Sequence, residues 1–120
     1  MNAGVTIDPV SGLDAIAFVA RGSSVKLAHL RRRPYANVTF RASWEWVAVE
    51  GATTVVGPDD PATGVATDAD VDADGLPHLL RDVFIAAGGT HDDWDEYDRV
   101  MAEDRRVAVF VGLDRITSNA

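Results

Sequence analysis

The spacing of apolar and polar residues changes rhythm along the chain, and each change predicts an element. Val5-Thr6-Ile7 and Ala15-Ile16-Ala17-Phe18-Val19 are apolar-rich runs on either side of Asp8-Pro9-Val10-Ser11-Gly12, whose Pro and Gly favour a turn, so a pair of strands is expected. Residues 24 to 33 predict a helix capped by Ser24 and stopped by Pro34. Tyr35, Asn37 and Thr39 then alternate with Ala36, Val38 and Phe40 in a strand rhythm. A longer strand is expected over residues 44 to 56, with Trp44, Trp46 and Ala48 on one side and Glu45, Val47 and Val49 on the other. Both of its faces are partly apolar, as in a barrel strand or one at an interface.

The second half changes to a helical period. Leu76, Leu79, Leu80, Val83, Phe84 and Ala87 form one apolar stripe, which Gly88-Gly89 terminates. Thr90 is the expected cap of a further helix, with Trp94, Tyr97, Val100 and Met101 on one side and an acidic start that offsets the helix dipole. Residues 107 to 111 and 115 to 117 are expected to close the chain as a strand or hairpin.

With 120 residues the chain fits a single small domain, residues 1–120, which self-association would help to stabilise. The absence of cysteine removes disulfides, thiolate catalysis and Cys-ligated metals. No apolar run approaches the roughly 20 residues that cross a bilayer, so no membrane partner and a cytoplasmic location are expected. The net charge of -8 argues against nonspecific nucleic-acid binding.

That charge is unevenly distributed. Residues 15 to 44 hold six Lys or Arg and no Asp or Glu, which leaves -14 on the rest of the chain. Five of the six fall between Arg21 and Arg33, just after the apolar run that ends at Ala20. A strand leading into a basic, Ser-capped helix start is a natural anion site, because amide N–H groups, hydroxyls and the helix dipole converge there. The residues alone fit a solvated basic helix side equally well, with Arg31, Arg32 and Arg33 offsetting the dipole at the helix end. Gly22-Ser23-Ser24-Val25-Lys26 lacks the spacing of a nucleotide P-loop.

Other motifs are incomplete. Asp70-Val71-Asp72-Ala73-Asp74-Gly75 copies the first half of a calcium loop, but Arg81 stands where the closing Glu belongs. His91 and Asp95 have the spacing of two metal ligands on a helix, too few for a structural site, and no metal is expected. No Ser-His-Asp arrangement or nucleophile elbow is present, so catalytic residues are unassigned and any redox chemistry would be a cofactor's. The Trp44, Trp46 pair reads first as barrel or dimer core and second as a ring-stacking surface.

The run Gly22-Ser23-Ser24-Val25-Lys26-Leu27-Ala28-His29-Leu30-Arg31-Arg32-Arg33-Pro34, the strand Ala36-Asn37-Val38-Thr39-Phe40 and the string Trp46-Val47-Ala48-Val49-Glu50-Gly51 together resemble the pyridoxamine 5'-phosphate oxidase-like, FMN-binding split-barrel superfamily. Gly88-Gly89-Thr90-His91-Asp92-Asp93-Trp94-Asp95-Glu96-Tyr97 is similar to its actinobacterial branch of probable coenzyme F-420 (deazaflavin)-dependent oxidoreductases. The resemblance implies a mainly β fold with helices (α+β), a six-stranded antiparallel split barrel. It also implies a homodimer with a flavin-type cofactor in the groove between subunits, F-420 in the first place and FMN as the alternative; the other reading is a non-catalytic FMN or haem binder, or a degenerate dimer without cofactor. Carried over to this sequence, Lys26 and Ser24 would hold the cofactor phosphate, with Ser23, Arg21 and Arg31 as helpers. Val25 departs from the pattern, since many relatives have Arg there. Relatives also open with a helix and a strand that precede Met1-Asn2-Ala3-Gly4-Val5, so the first strand of their barrel is expected to be missing.

Overall fold

The computed structural model describes residues 3–60 and 75–119, which form six strands and three helices. Strand β1 (Gly4–Ile7) forms an antiparallel hairpin with β2 (Asp14–Ala20) through the Pro9-Val10-Ser11-Gly12 turn. Asp8 fixes that turn by accepting the Val10 N–H at 2.8 Å and the Ser11 N–H at 3.3 Å. Helix α1 (Val25–Arg32) follows, then β3 (Tyr35–Ala42), β4 (Glu45–Val56), α2 (Leu76–Ala86), α3 (Trp94–Glu103), β5 (Val107–Gly112) and β6 (Arg115–Ser118).

The strands form one antiparallel sheet in the order β1-β2-β5-β4-β3, with β6 also on β4. The result is an α+β fold whose sheet curls into a half-barrel, as the resemblance implies. Strand β4 pairs with β3 along one edge, and with both β5 and β6 along the other. Chain-closing residues therefore do not make a hairpin. Strands β5 and β6 run in line along β4, offset by one residue at a bulge around Gly112. There Asp114 Oδ2 accepts the Ala52 N–H at 2.9 Å, replacing a ladder bond, and a Cβ on Gly51 would lie 2.0 Å from the Gly112 carbonyl oxygen.

Two apolar layers sandwich the middle of the sheet. Helices α2 and α3 cover one face, where Leu80, Val83 and Tyr97 meet Ala15, Ala17, Val56 and Phe110. Leu27 and Leu30 of α1 fill the other, against Ile16, Phe18, Val38, Val49 and Val109. Phe110, Leu27 and Val109 are wholly buried, and each such side chain contributes about 1.5–3 kcal/mol of transfer free energy. The predicted apolar stripe of α2 is thus the core contact, and its end is the predicted one. Gly88 (φ 88°) takes the left-handed position, while the Gly89 N–H donates to the Phe84 carbonyl at 2.9 Å.

Three expectations need correction. Trp44 is not on the strand; Ser43 and Trp44 form a two-residue turn that joins the Ala42–Glu45 pair, so Trp44 and Trp46 do not share a face and Trp44 is 77% exposed. Thr90 is not the cap of α3. Asp93 is, since its carboxylate accepts the Glu96 N–H at 3.1 Å and competes better for that donor than a residue three positions earlier. His91 therefore precedes the helix: its Nδ1 accepts the Asp93 N–H at 3.0 Å and its ring packs on Trp94 and Tyr97. The calcium-like run, Asp70 to Asp74, lies outside the described residues.

Candidate functional site: a basic cleft between β2, α1 and α2

Strand β2 ends at Ala20, opposite Val107 of β5. One step further, Arg21 leaves β2 as Arg106 enters β5, so the antiparallel register brings the two arginines to the same end of the sheet. The turn after Arg21 leads into α1. Ser24 caps it, its Oγ accepting the Leu27 N–H at 3.2 Å, which leaves the hydroxyl proton available to donate. Lys26 lies in the first turn, with Nζ 5.5 Å from the centroid of the Phe18 ring.

These groups line one cleft of about 410 Å³. Its polar side is Arg21, Ser24, Lys26 and Arg106, and its apolar side is Phe18, Val19, Phe84, Ala87 and Gly89. None of these lining residues is acidic, so three cations and a hydroxyl face the same space beside a helix N-terminus. An anionic group such as a phosphate is the matching ligand, with the apolar wall taking whatever adjoins it. Among the described residues the lining holds no His, Asp or Glu to serve as acid or base, and what these side chains offer is binding and orientation.

Of the residues expected from the sequence, the structure gathers Arg21, Ser24 and Lys26. Ser23 is exposed and does not line the cleft. Arg31 points elsewhere: Nε donates to Asp60 Oδ1 at 2.9 Å and Nη2 to Asp60 Oδ2 at 2.5 Å, and this hydrogen bonding pushes the guanidinium further above its usual range. Val25, the departure from the family pattern, is 74% exposed.

Arg106 is the residue that sequence reasoning missed. It precedes β5, some eighty positions from Arg21, and only the β2–β5 pairing brings it to the cleft. Its intrachain contact differs from those of three other arginines. Arg31 with Asp60, Arg105 with Asp59 and Arg81 with Asp98 each place Nε and Nη2 on both oxygens of one carboxylate. Arg106 places both nitrogens on the single Oδ2 of Asp104, each at 3.3 Å, a longer pairing through one acceptor oxygen.

No family model matches the chain. Among solved structures, the conserved hypothetical protein Rv2991 from Mycobacterium tuberculosis is similar over 98% of this chain and 76% of its own, with 19% identity and a TM-score of 0.54. The protein Atu2129, of unknown function, from Agrobacterium tumefaciens str. C58 is similar over 98% of this chain and 49% of its own, with 12% identity and a TM-score of 0.52. At these identities the likeness is one of fold.

Proposed function

We propose that the basic cleft holds the phosphate of a flavin-type cofactor and that the protein is an oxidoreductase. Coenzyme F-420 is the first candidate and FMN the second. The observation that carries this reading is the convergence of Arg21, Lys26, Arg106 and the Ser24 hydroxyl on one cleft. When bound, the cofactor would supply the hydride for an unsaturated or carbonyl substrate. The chain's own part is to grip the phosphate through these four side chains and to shelter the adjoining group against Phe18 and Phe84.

A cleft of about 410 Å³ suits a phosphate and its neighbouring atoms better than a whole cofactor with its rings. The rings would lie along a second copy of the chain. On the α1 side of the sheet, Val5, Ile7, Phe40, Val47 and Ile116 are exposed apolar residues that a twofold partner would cover. The proposed unit is therefore a homodimer, placed in the cytoplasm; among the described residues no helix is long and apolar enough to cross a membrane.

Titrating the protein with F-420 and with FMN, followed by anisotropy, tests the reading. Saturable F-420 binding that weakens on dilution below the dimer dissociation constant is expected. FMN binding without F-420 binding would remove the deazaflavin and keep the phosphate site. A non-catalytic flavin or haem binder, or a dimer without cofactor, is the second reading. The commitment of Arg31 to Asp60 and the exposed Val25 favour it, because both take cationic groups away from the cleft. Pure protein that is colourless, dimeric and binds neither cofactor would establish the cofactor-free form.

A further inference from the structure

The two ends of the sheet are built differently. Strand β1 closes one end with four residues and β6 adds four beside β4, but β3 forms the other end with eight. Among the described residues no strand pairs with the outer edge of β3. Such edges are commonly guarded by shortness, a proline, a bulge or several charges. Strand β3 keeps unbroken register with β4, has no proline after Pro34 and carries one charge, Arg41. Hydrogen bonds show which of its backbone groups face outward. The Pro34 carbonyl accepts the Thr53 N–H of β4 at 2.9 Å, whereas the Tyr35 N–H turns away to the Arg33 carbonyl at 2.7 Å. Alternation along an antiparallel pair then directs Ala36, Val38, Phe40 and Ala42 to β4, and leaves the backbone of Tyr35, Asn37, Thr39 and Arg41 pointing away from the sheet. These four positions are symmetric about Val38.

We propose that β3 pairs antiparallel with β3 of a second copy of the chain, with the twofold axis at Val38, so that one sheet continues across both subunits. In that register Asn37 lies opposite the partner's Thr39 and Arg41 opposite the partner's Tyr35. About six hydrogen bonds then join the two strands, the Tyr35 N–H being already spent on Arg33. The side chains agree with the backbone. On the α1 side Phe40 meets the partner's Ala36, large against small, and Val38 meets its own copy. On the other side Asn37 meets a threonine hydroxyl and the Arg41 guanidinium lies beside a tyrosine ring, with no like charges facing each other. A slip of two residues either way would leave an outward-facing residue at the end of each strand without its partner. This self-complementarity selects a second copy over a foreign peptide. The contact uses the edge of the sheet and none of the cleft residues, so it stands whether or not a cofactor binds.

The chain has no cysteine, so single cysteine substitutions report the register. In this pairing the two Val38 Cα atoms lie about 4.5 Å apart, within the span of a disulfide, whereas the two Thr39 positions are diagonal neighbours roughly 7–8 Å apart, beyond it. Under mild oxidation Val38→Cys should run as a covalent dimer on a non-reducing gel, and Thr39→Cys should stay largely uncrosslinked. Thr39→Pro removes an outward N–H without costing a bond to β4. At a concentration where the wild-type protein is assembled, it should halve the molar mass in sedimentation equilibrium and leave the circular dichroism unchanged. Wild-type protein that stays monomeric, leaving the edge to a strand of another protein, would overturn the proposal. Equal cross-linking at positions 38 and 39, or an unchanged mass in folded Thr39→Pro, would do so too, the latter by showing that copies meet through another surface. If Thr39→Pro does not fold, the two cysteine variants carry the test, with circular dichroism of their reduced forms as the check on folding.

Discussion

The half of the sheet built from β2 and β5 differs sharply from the wing built from β3, β6 and the first half of β4. Residues 107 to 111 of β5 are all buried, because α2 and α3 pack on one face and α1 on the other. Every residue of β6 is exposed, and so are most of β3. The pairing is equally regular in both regions, so hydrogen bonding does not account for the difference. Helices do: the sheet is stable where both faces are covered, and the wing keeps apolar residues such as Phe40, Val47 and Ile116 at its surface. A wing of that kind is suited to meeting another surface, and the covered half to holding the cleft in place.

Substitution in the covered half should have the largest effect. Phe110→Ala should lower unfolding free energy by about 3–5 kcal/mol in urea denaturation, whereas Ile116→Ala should change the monomer by no more than about 0.5 kcal/mol and loosen self-association instead. Equal losses at both positions would dissolve the contrast.

Next in size is the cleft that the covered half positions. Lys26→Ala should weaken cofactor binding by about 1.5–3 kcal/mol in an anisotropy titration with little loss of stability, while Arg31→Ala should leave affinity unchanged. An Arg31→Ala effect as large as that of Lys26→Ala would return Arg31 to the phosphate.

Tyr97 sharpens the comparison by pH. It is buried between α2 and the sheet, its hydroxyl donates to the Leu80 carbonyl at 3.1 Å, and burial pushes its pKa from 10.0 up to about 12. A raised folded pKa means that its contribution to stability is whole below pH 10.0 and is lost as pH climbs toward about 12. Tyr97→Phe should remove that part of the alkaline loss and cost about 1 kcal/mol at neutral pH, as measured by urea denaturation across the range.

The smallest effect is expected at the surface. Arg105 hydrogen bonds hold the Asp59 carboxyl below its ordinary value, so the pair's contribution lasts to lower pH than usual and is lost as pH falls through the folded pKa. Carboxyl-carbon NMR of Asp59 should show a depressed midpoint, and Arg105→Gln should restore the ordinary one.

Elements set by local periodicity were readable in the amino-acid sequence: the β1–β2 hairpin, the Ser24 cap, the alternation of β3 and the apolar stripe of α2 with its Gly88 stop. The Ser43-Trp44 turn was not, because Ser43 adopts φ 60° without the Gly or Asn that announces such turns. At the start of α3, Thr90 and Asp93 are both able caps, and only the hydrogen bond to Glu96 distinguishes them. The cleft was half readable. Arg21, Ser24 and Lys26 are neighbours in the chain, but Arg106 joins them through strand register, and Arg31 leaves them through Asp60, a partner twenty-nine residues away.

The pairing of β2 with β5 also governs how the chain must fold. Its most buried ladder joins Ala15 to Gly112, positions separated by nearly the whole sequence. The local hairpins β1–β2 and β3–β4 can close early, yet neither encloses a core by itself. Ordering the long intervening loop is an entropic cost that falls before the central contacts reward it, so the high contact order places this protein among slow folders, in the range of milliseconds to seconds. On the ribosome β5 emerges last of the core strands, and until it does the edge of β2 is left without its neighbour.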